Sequence, residues 1–381
     1  VLYNKASLAG TLINASASFT QLSNGARLGL EDEYAFFVRL DRPLVSPYTH
    51  LTGGLEISEN WSENVYGKTA DDFRSYRYHV IDAWVGYNLS VRSEGRSRQL
   101  IGLRWFDQHF SRRPEQLEEQ TNPQYNNQSY WLAEAAFFKQ DFYKTRYILG
   151  FGRTEDIPYG HKLTLVAGEV RKLRLTRPYV GVELVKSVVR NDGDFLNFTV
   201  AGSAFFRNNQ PEDVILNAQF SFFSRILSWR NTLIRQSVTA SGAALLKQQT
   251  LLPLRLRSEF GLPGFPADSL LGSKRLSIQS ETLFFSRFSL LGFRFAPLVF
   301  AGAGLIGQAD EALFRQPVWL NLGGGIRTRN ENLVFGTIDL RFYYFPRVVE
   351  NISPFRISLT SRLQVKYSAG FVNKPALIRY N

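Results

Sequence analysis

Along much of the chain, apolar and polar residues alternate with period two. In FRISLTSRLQVKY, Phe355, Ile357, Leu359, Leu363, Val365 and Tyr367 share one face, broken only by Ser361. Arg356, Ser358, Thr360, Arg362, Gln364 and Lys366 form the other. In FGTIDLRFYY, Ile338, Leu340, Phe342 and Tyr344 oppose Thr337, Asp339, Arg341 and Tyr343. PVWLNLGGGIRTR, DVILNAQFSFF and FLNFTVAGSAFF read the same way, so each strand has one apolar and one polar face. These segments run nine to thirteen residues, against about 5–6 for strands of soluble sheets and the roughly 9–11 that a tilted membrane strand needs. Their apolar faces end in aromatics, as interfacial girdles do, and their polar faces carry charge, as a wet lumen tolerates.

The alternation predicts the segments quoted above and further strands near 8–20, 32–42, 47–60, 76–92, 98–112, 127–138, 143–155, 161–170, 178–190, 229–245, 273–286 and 294–307. That makes seventeen candidates for one closed sheet. Single-chain bacterial barrels have even strand numbers, so sixteen is the expected count, with boundaries least defined over 1–20 and 143–170. Turns such as NDGD (191–194) and RNEN (329–332) are short, whereas 61–75, 113–126 and 246–272 are longer. The longest apolar-plus-glycine run, FAPLVFAGAGLIG (295–307), falls short of the ~20 residues of a spanning helix. A closed barrel satisfies its backbone without one. The expected fold is therefore all-β, a transmembrane antiparallel barrel occupying residues 1–381 as a single domain.

Composition narrows the chemistry. The 381 residues include 31 Phe, 17 Tyr and 6 Trp, and no Cys or Met. Disulfide scaffolds, thiolate zinc sites and cysteine nucleophiles are excluded. The start VLYNKASLAG has no leader pattern, so the chain reads as a processed or excised piece. The net charge of +12 is dispersed, with no nucleic-acid-binding motif. It suits a solvated basic surface, an arginine-rich lumen, or rims facing lipid phosphates. GAGLIG (302–307) is a literal G-x-G-x-x-G, but only about ten residues separate it from the strand at Val318, too few for a βαβ crossover. Gly302 and Gly304 are better read as making room where another segment approaches the wall. His50, His79, His109 and His161 lack ligand spacing. Asp71-Asp72 and Glu118-Glu119 sit in polar loops. No catalytic residue, metal site or cofactor is assigned, and enzymatic activity is not expected.

One loop stands out. EFGLPGFPADSLLG (259–272) crowds three glycines and two prolines around Phe260 and Phe265, and an alternating strand, SKRLSIQSETLFF, follows. This stretch resembles a signature of the BamA/TamA outer-membrane assembly superfamily, in which a long loop carrying Arg-Gly-Phe/Tyr folds into the barrel lumen. Gly261 matches the glycine before the motif, Gly264-Phe265 its core, Gly272 the glycine beyond, and Glu281 the inward strand carboxylate. Five strands follow the loop, the number expected in a sixteen-strand member. The hairpin GGGIRTRNENLVFGTIDLRFYYFP (323–346) fits as well, so the likeness covers about residues 255–367.

Two departures come together. Pro263 replaces the motif arginine, and Gly302 stands where its acidic partner would be. Losing both halves is physically consistent, because one buried charge left alone costs roughly 3–5 kcal/mol. The loop (255–272, with Leu262 beside Pro263) is still expected to enter the lumen, held by Phe265 packing and proline rigidity. The alternative is an ordinary extracellular loop. Inward wall positions are expected at Gln279, Glu281, Gly302, Gly304, Arg327, Arg329, Asp339 and Arg341. Phe355, Leu363, Val365 and Tyr367 are expected to form the last strand, an assembly signal in that family. The tail 368–381 either ends in the periplasm or closes the seam against the first strand.

The resemblance implies a bacterial outer-membrane barrel that inserts or translocates proteins by lateral opening of its seam. Its partners would be outer-membrane lipid and lipopolysaccharide, client outer-membrane proteins, and periplasmic or lipoprotein subunits. POTRA domains or a fused enzyme domain would precede it. Two alternatives stay open: a passive porin made anion-favouring by Arg327, Arg329, Arg341, Arg356 and Arg362, or a membrane anchor or exporter of an upstream enzyme domain.

Overall fold

Period-two alternation lets each strand pair with the next through a tight or loop turn, and the chain does this from end to end. The computed structural model describes residues 1–22, 32–44, 49–64, 75–90, 97–114, 123–148, 151–152, 154–190, 192–286, 288–330, 337–349, 352–362 and 372–381. Among these residues, sixteen strands of eight residues or more follow in order. They are β1 (Asn14–Leu22), β2 (Asp32–Arg42), β3 (Leu51–Glu63), β4 (Arg77–Asn88), β5 (Ser97–Arg112), β6 (Gln128–Arg146), β7 (Thr154–Lys172) and β8 (Leu175–Val189). Then come β9 (Phe195–Arg207), β10 (Gln210–Phe223), β11 (Thr232–Leu246), β12 (Lys274–Phe285), β13 (Phe293–Gly307), β14 (Trp319–Asn330), β15 (Thr337–Tyr344) and β16 (Phe355–Arg362). Each is antiparallel to its sequence neighbour. A short strand, Leu2–Lys5, pairs with the other edge of β1.

Two segments differ from the sequence expectation. The candidate strand 143–155 is not an element of its own. Its first residues extend β6 and its last two begin β7, and these pair from Gln128↔Lys172 to Arg146↔Thr154. β5 pairs with β6 only as far as Lys139, and β8 with β7 only from Gly160. The hairpin end therefore outruns its neighbours as a two-stranded ribbon, whose alternation looks like an extra strand and whose turn folds in against β11–β13. The candidate 8–20 is likewise split. Leu8–Gly10 form a 3-10 turn, and the strand begins at Asn14.

The sheet rolls up, as contacts between distant strands require. Arg235 on β11 donates to the Arg146 carbonyl at the end of β6, at 2.9 Å. Arg294 on β13 reaches the Phe151 carbonyl at 2.6 Å. The rings of Tyr147 and Phe285 lie 5.0 Å apart. One face of the sheet is thus an interior. The other is apolar: Trp131 is 63% exposed, while its chain neighbours Tyr130 and Leu132 are buried at 7% and 1%. Leu103, Leu184, Val200, Ile357 and Leu359 are likewise exposed. Outer aromatics pair across strands, as Trp105 does with Trp131 and Tyr34 with Trp61. An exterior of this kind would be unstable in water and is at home in lipid.

Candidate functional site

Besides the ribbon turn, whose Phe151 packs on Leu283, Ala296 and Leu298, two segments of the chain occupy the interior among the described residues. The first is the glycine- and proline-rich loop. Leu254 and Arg255 pair with Gly272 and Leu271 to close its base. Ser273 holds that base between β11 and β13 through Leu245 N–H to Ser273 O at 2.7 Å and Ser273 N–H to Gly307 O at 2.9 Å. Inside this neck the chain folds tightly, with Leu262 N–H donating to Leu256 O at 2.7 Å. Its tip is fastened to the wall by backbone acceptors. Phe260 O accepts from Ser277 Oγ at 2.8 Å and also from Ser241 Oγ, and Gly261 O accepts from Gln279 Nε2 at 2.6 Å.

Apolar packing completes the seat. Leu256, Leu262 and Phe265 have no exposed surface and pack in one cluster with Ile306, Trp319, Tyr343 and Phe345. Phe265 meets Trp319 and Phe345 edge-on, with ring centroids 5.5 and 5.3 Å away, an arrangement that the ring quadrupoles favour. Pro263 and Gly302, where an ion pair would stand in the resembled family, carry no charge. Leu262 instead settles against the wall. A Cβ at Gly302 would collide first with the Asn321 amide of the neighbouring β14 and would lie 3.2 Å from Leu262 Cδ2, and one at Gly304 would lie 2.8 Å from Leu256 Cδ1. Gly264 is required for two reasons: its φ is +80°, and a Cβ there would fall 2.8 Å from the Tyr343 ring. Gly264→Ala should therefore cost roughly 1–2 kcal/mol from backbone strain alone, read as a lower urea midpoint of the detergent-folded chain. An unchanged midpoint would show that the loop leaves Tyr343 without cost.

Below the loop, four of the inward wall positions form one charge network. Arg327 grips Asp339 with two bonds of 2.8 Å. Arg341 bridges Asp339 at 3.0 Å and Glu281 at 2.7 Å, and Arg327 also reaches Glu281 at 3.4 Å. β12, β14 and β15 supply these residues at facing positions of the pleat, so the network clamps one wall from inside. Arg329 is buried nearby, and Arg356 on β16 donates to the Gly264 carbonyl at 3.3 Å. Phe355 lies on the exposed outer face, while Leu363, Val365 and Tyr367 lie outside the described residues.

The second segment, residues 372–381, was not foreseen inside. Both expectations for the tail, a periplasmic end or a strand closing the seam, are replaced by a course through the lumen. Arg104, locked onto Asp82 by bonds of 2.6 and 2.8 Å, donates to the Pro375 carbonyl at 2.8 Å. Lys374 pairs with the same Asp82. The Ile378 N–H donates to Tyr179 Oη at 2.8 Å, Asn217 to the Arg379 carbonyl at 2.6 Å, and Arg275 to the Tyr380 carbonyl at 2.9 Å. Burial pushes the Tyr380 phenol up to about 12. Arg275, 2% exposed, also donates to Arg255 O and Ser258 Oγ of the loop, so one guanidinium joins both inserted segments. Sequence reading missed Asp82, Arg104, Tyr179, Asn217 and Arg275. The available signal was Gly102 and Gly181, isolated glycines in strand interiors. A Cβ at these sites would come within 3.1 Å of Pro375 and 3.2 Å of Ile378. Elsewhere, His79 and His109, far apart in sequence, face each other across β4 and β5.

No family model matches the chain, and no curated protein does. Solved structures do resemble it. BamA from Haemophilus ducreyi lacking POTRA domains 1–3 aligns with a TM-score of 0.51 at 8% identity, over 92% of this chain and 69% of that one. CdiB from Acinetobacter baumannii aligns at 0.49 and 12% identity, and CdiB from Escherichia coli at 0.48 and 10%. This chain spans 60% and 61% of those two. Likeness at such identity speaks for architecture alone, and the BamA alignment, together with the rolled sixteen-strand sheet, the apolar exterior and the inserted loop, establishes the fold: an antiparallel transmembrane β-barrel similar in architecture to that of BamA.

Proposed function

We propose that this chain is a non-enzymatic bacterial outer-membrane barrel that inserts or translocates polypeptides by lateral opening of the seam between β1 and β16. The observation that carries the reading is the state of those two edges. Among the described residues, β16 pairs only with β15, and no backbone pairing joins it to β1. Among the described residues, the outer edge of β1 holds just the four-residue strand Leu2–Lys5, in register Leu2↔Ser18 to Lys5↔Ala15. An edge of unpaired N–H and C=O groups is a template for an incoming strand, and β1 already accepts one from its own chain. The fold shared with BamA supports the same direction. Outer-membrane lipid, client barrel proteins and periplasmic subunits are the partners this reading calls for. A passive anion-favouring pore is less well served, because Arg327 and Arg341 are neutralised by Glu281 and Asp339 and inserted segments occupy much of the lumen.

The test joins β1 to β16 by a disulfide. Since the chain has no cysteine, a pair introduced at Thr20–Leu22, past the stretch that Leu2–Lys5 covers, and into Phe355–Arg362 would be unique. The oxidised chain should lose insertion of client barrels into lipid vesicles and regain it on reduction. A fully oxidised chain that inserts clients at the normal rate would remove lateral opening as the mechanism.

A further inference from the structure

We infer that the path taken by residues 372–381 is a binding groove for an extended polypeptide segment, occupied here by the chain's own tail. The inference rests on reading the barrel as a conduit for polypeptides and names where in the lumen a segment would lie.

The contacts have the character of peptide recognition. The tail has no regular secondary structure, and the wall addresses its backbone. Arg104, Asn217 and Arg275 donate to carbonyls of residues 375, 379 and 380, and Tyr179 accepts from the N–H of residue 378. Bonds to the main chain do not depend on side-chain identity, as in other modes that bind extended peptides. Two further features set preferences. Asp82 takes a cationic side chain at the position of Lys374, and Gly102 and Gly181 leave room for apolar side chains at 375 and 378. A cavity of ≈ 690 Å³ lies alongside, lined by tail and wall and carrying Glu134, Lys162 and Glu183. It offers space for a segment bulkier than the present occupant.

Arg275 gives the groove its physical demand. Its acceptors are neutral oxygens, of which Tyr380 O and Asn381 Oδ1 belong to the tail. When the tail leaves, a buried guanidinium loses these acceptors, and other carbonyls would be bound in their place. A second extended segment supplies them, so tail and incoming segment compete for one site.

The experiment uses the full chain carrying Gly102→Cys and Pro375→Cys, whose oxidation ties the tail to the wall and whose reduction frees it. The probe is the synthetic decapeptide VNKPALIRYN, fluorescently labelled and followed by anisotropy on the barrel in nanodiscs. Oxidation should weaken its apparent affinity by about tenfold or more, as the competent fraction of the site falls, and reduction of the same sample should restore it. The full chain with Lys374→Ala and Ile378→Ala, whose tail is loosened, should bind the peptide more tightly than the unaltered chain. Equal binding in the oxidised and reduced states, or binding by none of these chains, would overturn the groove. Peptide capture is read without any client insertion. Lost capture with a functioning seam therefore removes the groove alone, while intact capture with an irrelevant seam removes the conduit mechanism alone.

Discussion

Asp339→Ala should destabilise the folded barrel by roughly 3–5 kcal/mol, the cost of stripping a buried ion pair of one partner. Asp339 is 2% exposed and holds both Arg327 and Arg341. Among the described residues, its removal leaves Arg327 with only the 3.4 Å contact to Glu281. The measurement is urea unfolding in detergent or vesicles, followed by the electrophoretic shift between folded and unfolded barrel. A paired replacement separates charge from packing. Arg327→Met with Asp339→Leu removes both members and should recover most of the loss, because apolar residues of similar volume often replace a buried pair at little cost. If Asp339→Ala leaves the midpoint in place, the network is solvated and does not clamp the wall.

Phe265→Ala should release the inserted loop. Deleting a fully buried phenylalanine costs roughly 3–5 kcal/mol, and Phe265 is the ring that Trp319 and Phe345 close around. The strands themselves do not depend on it, so the loss falls on docking of the loop and not on the sheet. The variant should keep its heat-resistant barrel form, yet show larger and steadier conductance steps in planar bilayers than the unaltered chain. A variant with unchanged conductance would mean that the polar tip bonds at Phe260 and Gly261 hold the loop without the aromatic seat.

Much of this architecture was legible beforehand. The period-two pattern marks both faces of β12, β14, β15 and β16, and it is a local property, set by the alternation of Cβ directions along any strand. The same pattern placed Glu281, Arg327, Asp339 and Arg341 on the inner face. It could not say which carboxylate meets which guanidinium, because that depends on cross-strand register. The pattern misled over 143–155. Alternation also marks a ribbon that outruns its neighbours, and nothing local tells the end of one strand from the start of the next.

The sequence by itself determined an all-β chain of about sixteen long strands with one face for lipid, and a loop whose glycines and prolines set it apart. Those properties follow from residue type and short-range spacing. Tertiary structure alone decided what fills the barrel. Residues 372–381 carry no period and no motif, and their hold on Asp82, Arg104, Tyr179, Asn217 and Arg275 exists only once the sheet has rolled. Rolling brings residues some 100 to 290 positions apart within hydrogen-bond reach. Buried carbonyls and guanidinium groups then have to find partners, and the lumen wall and the tail satisfy one another.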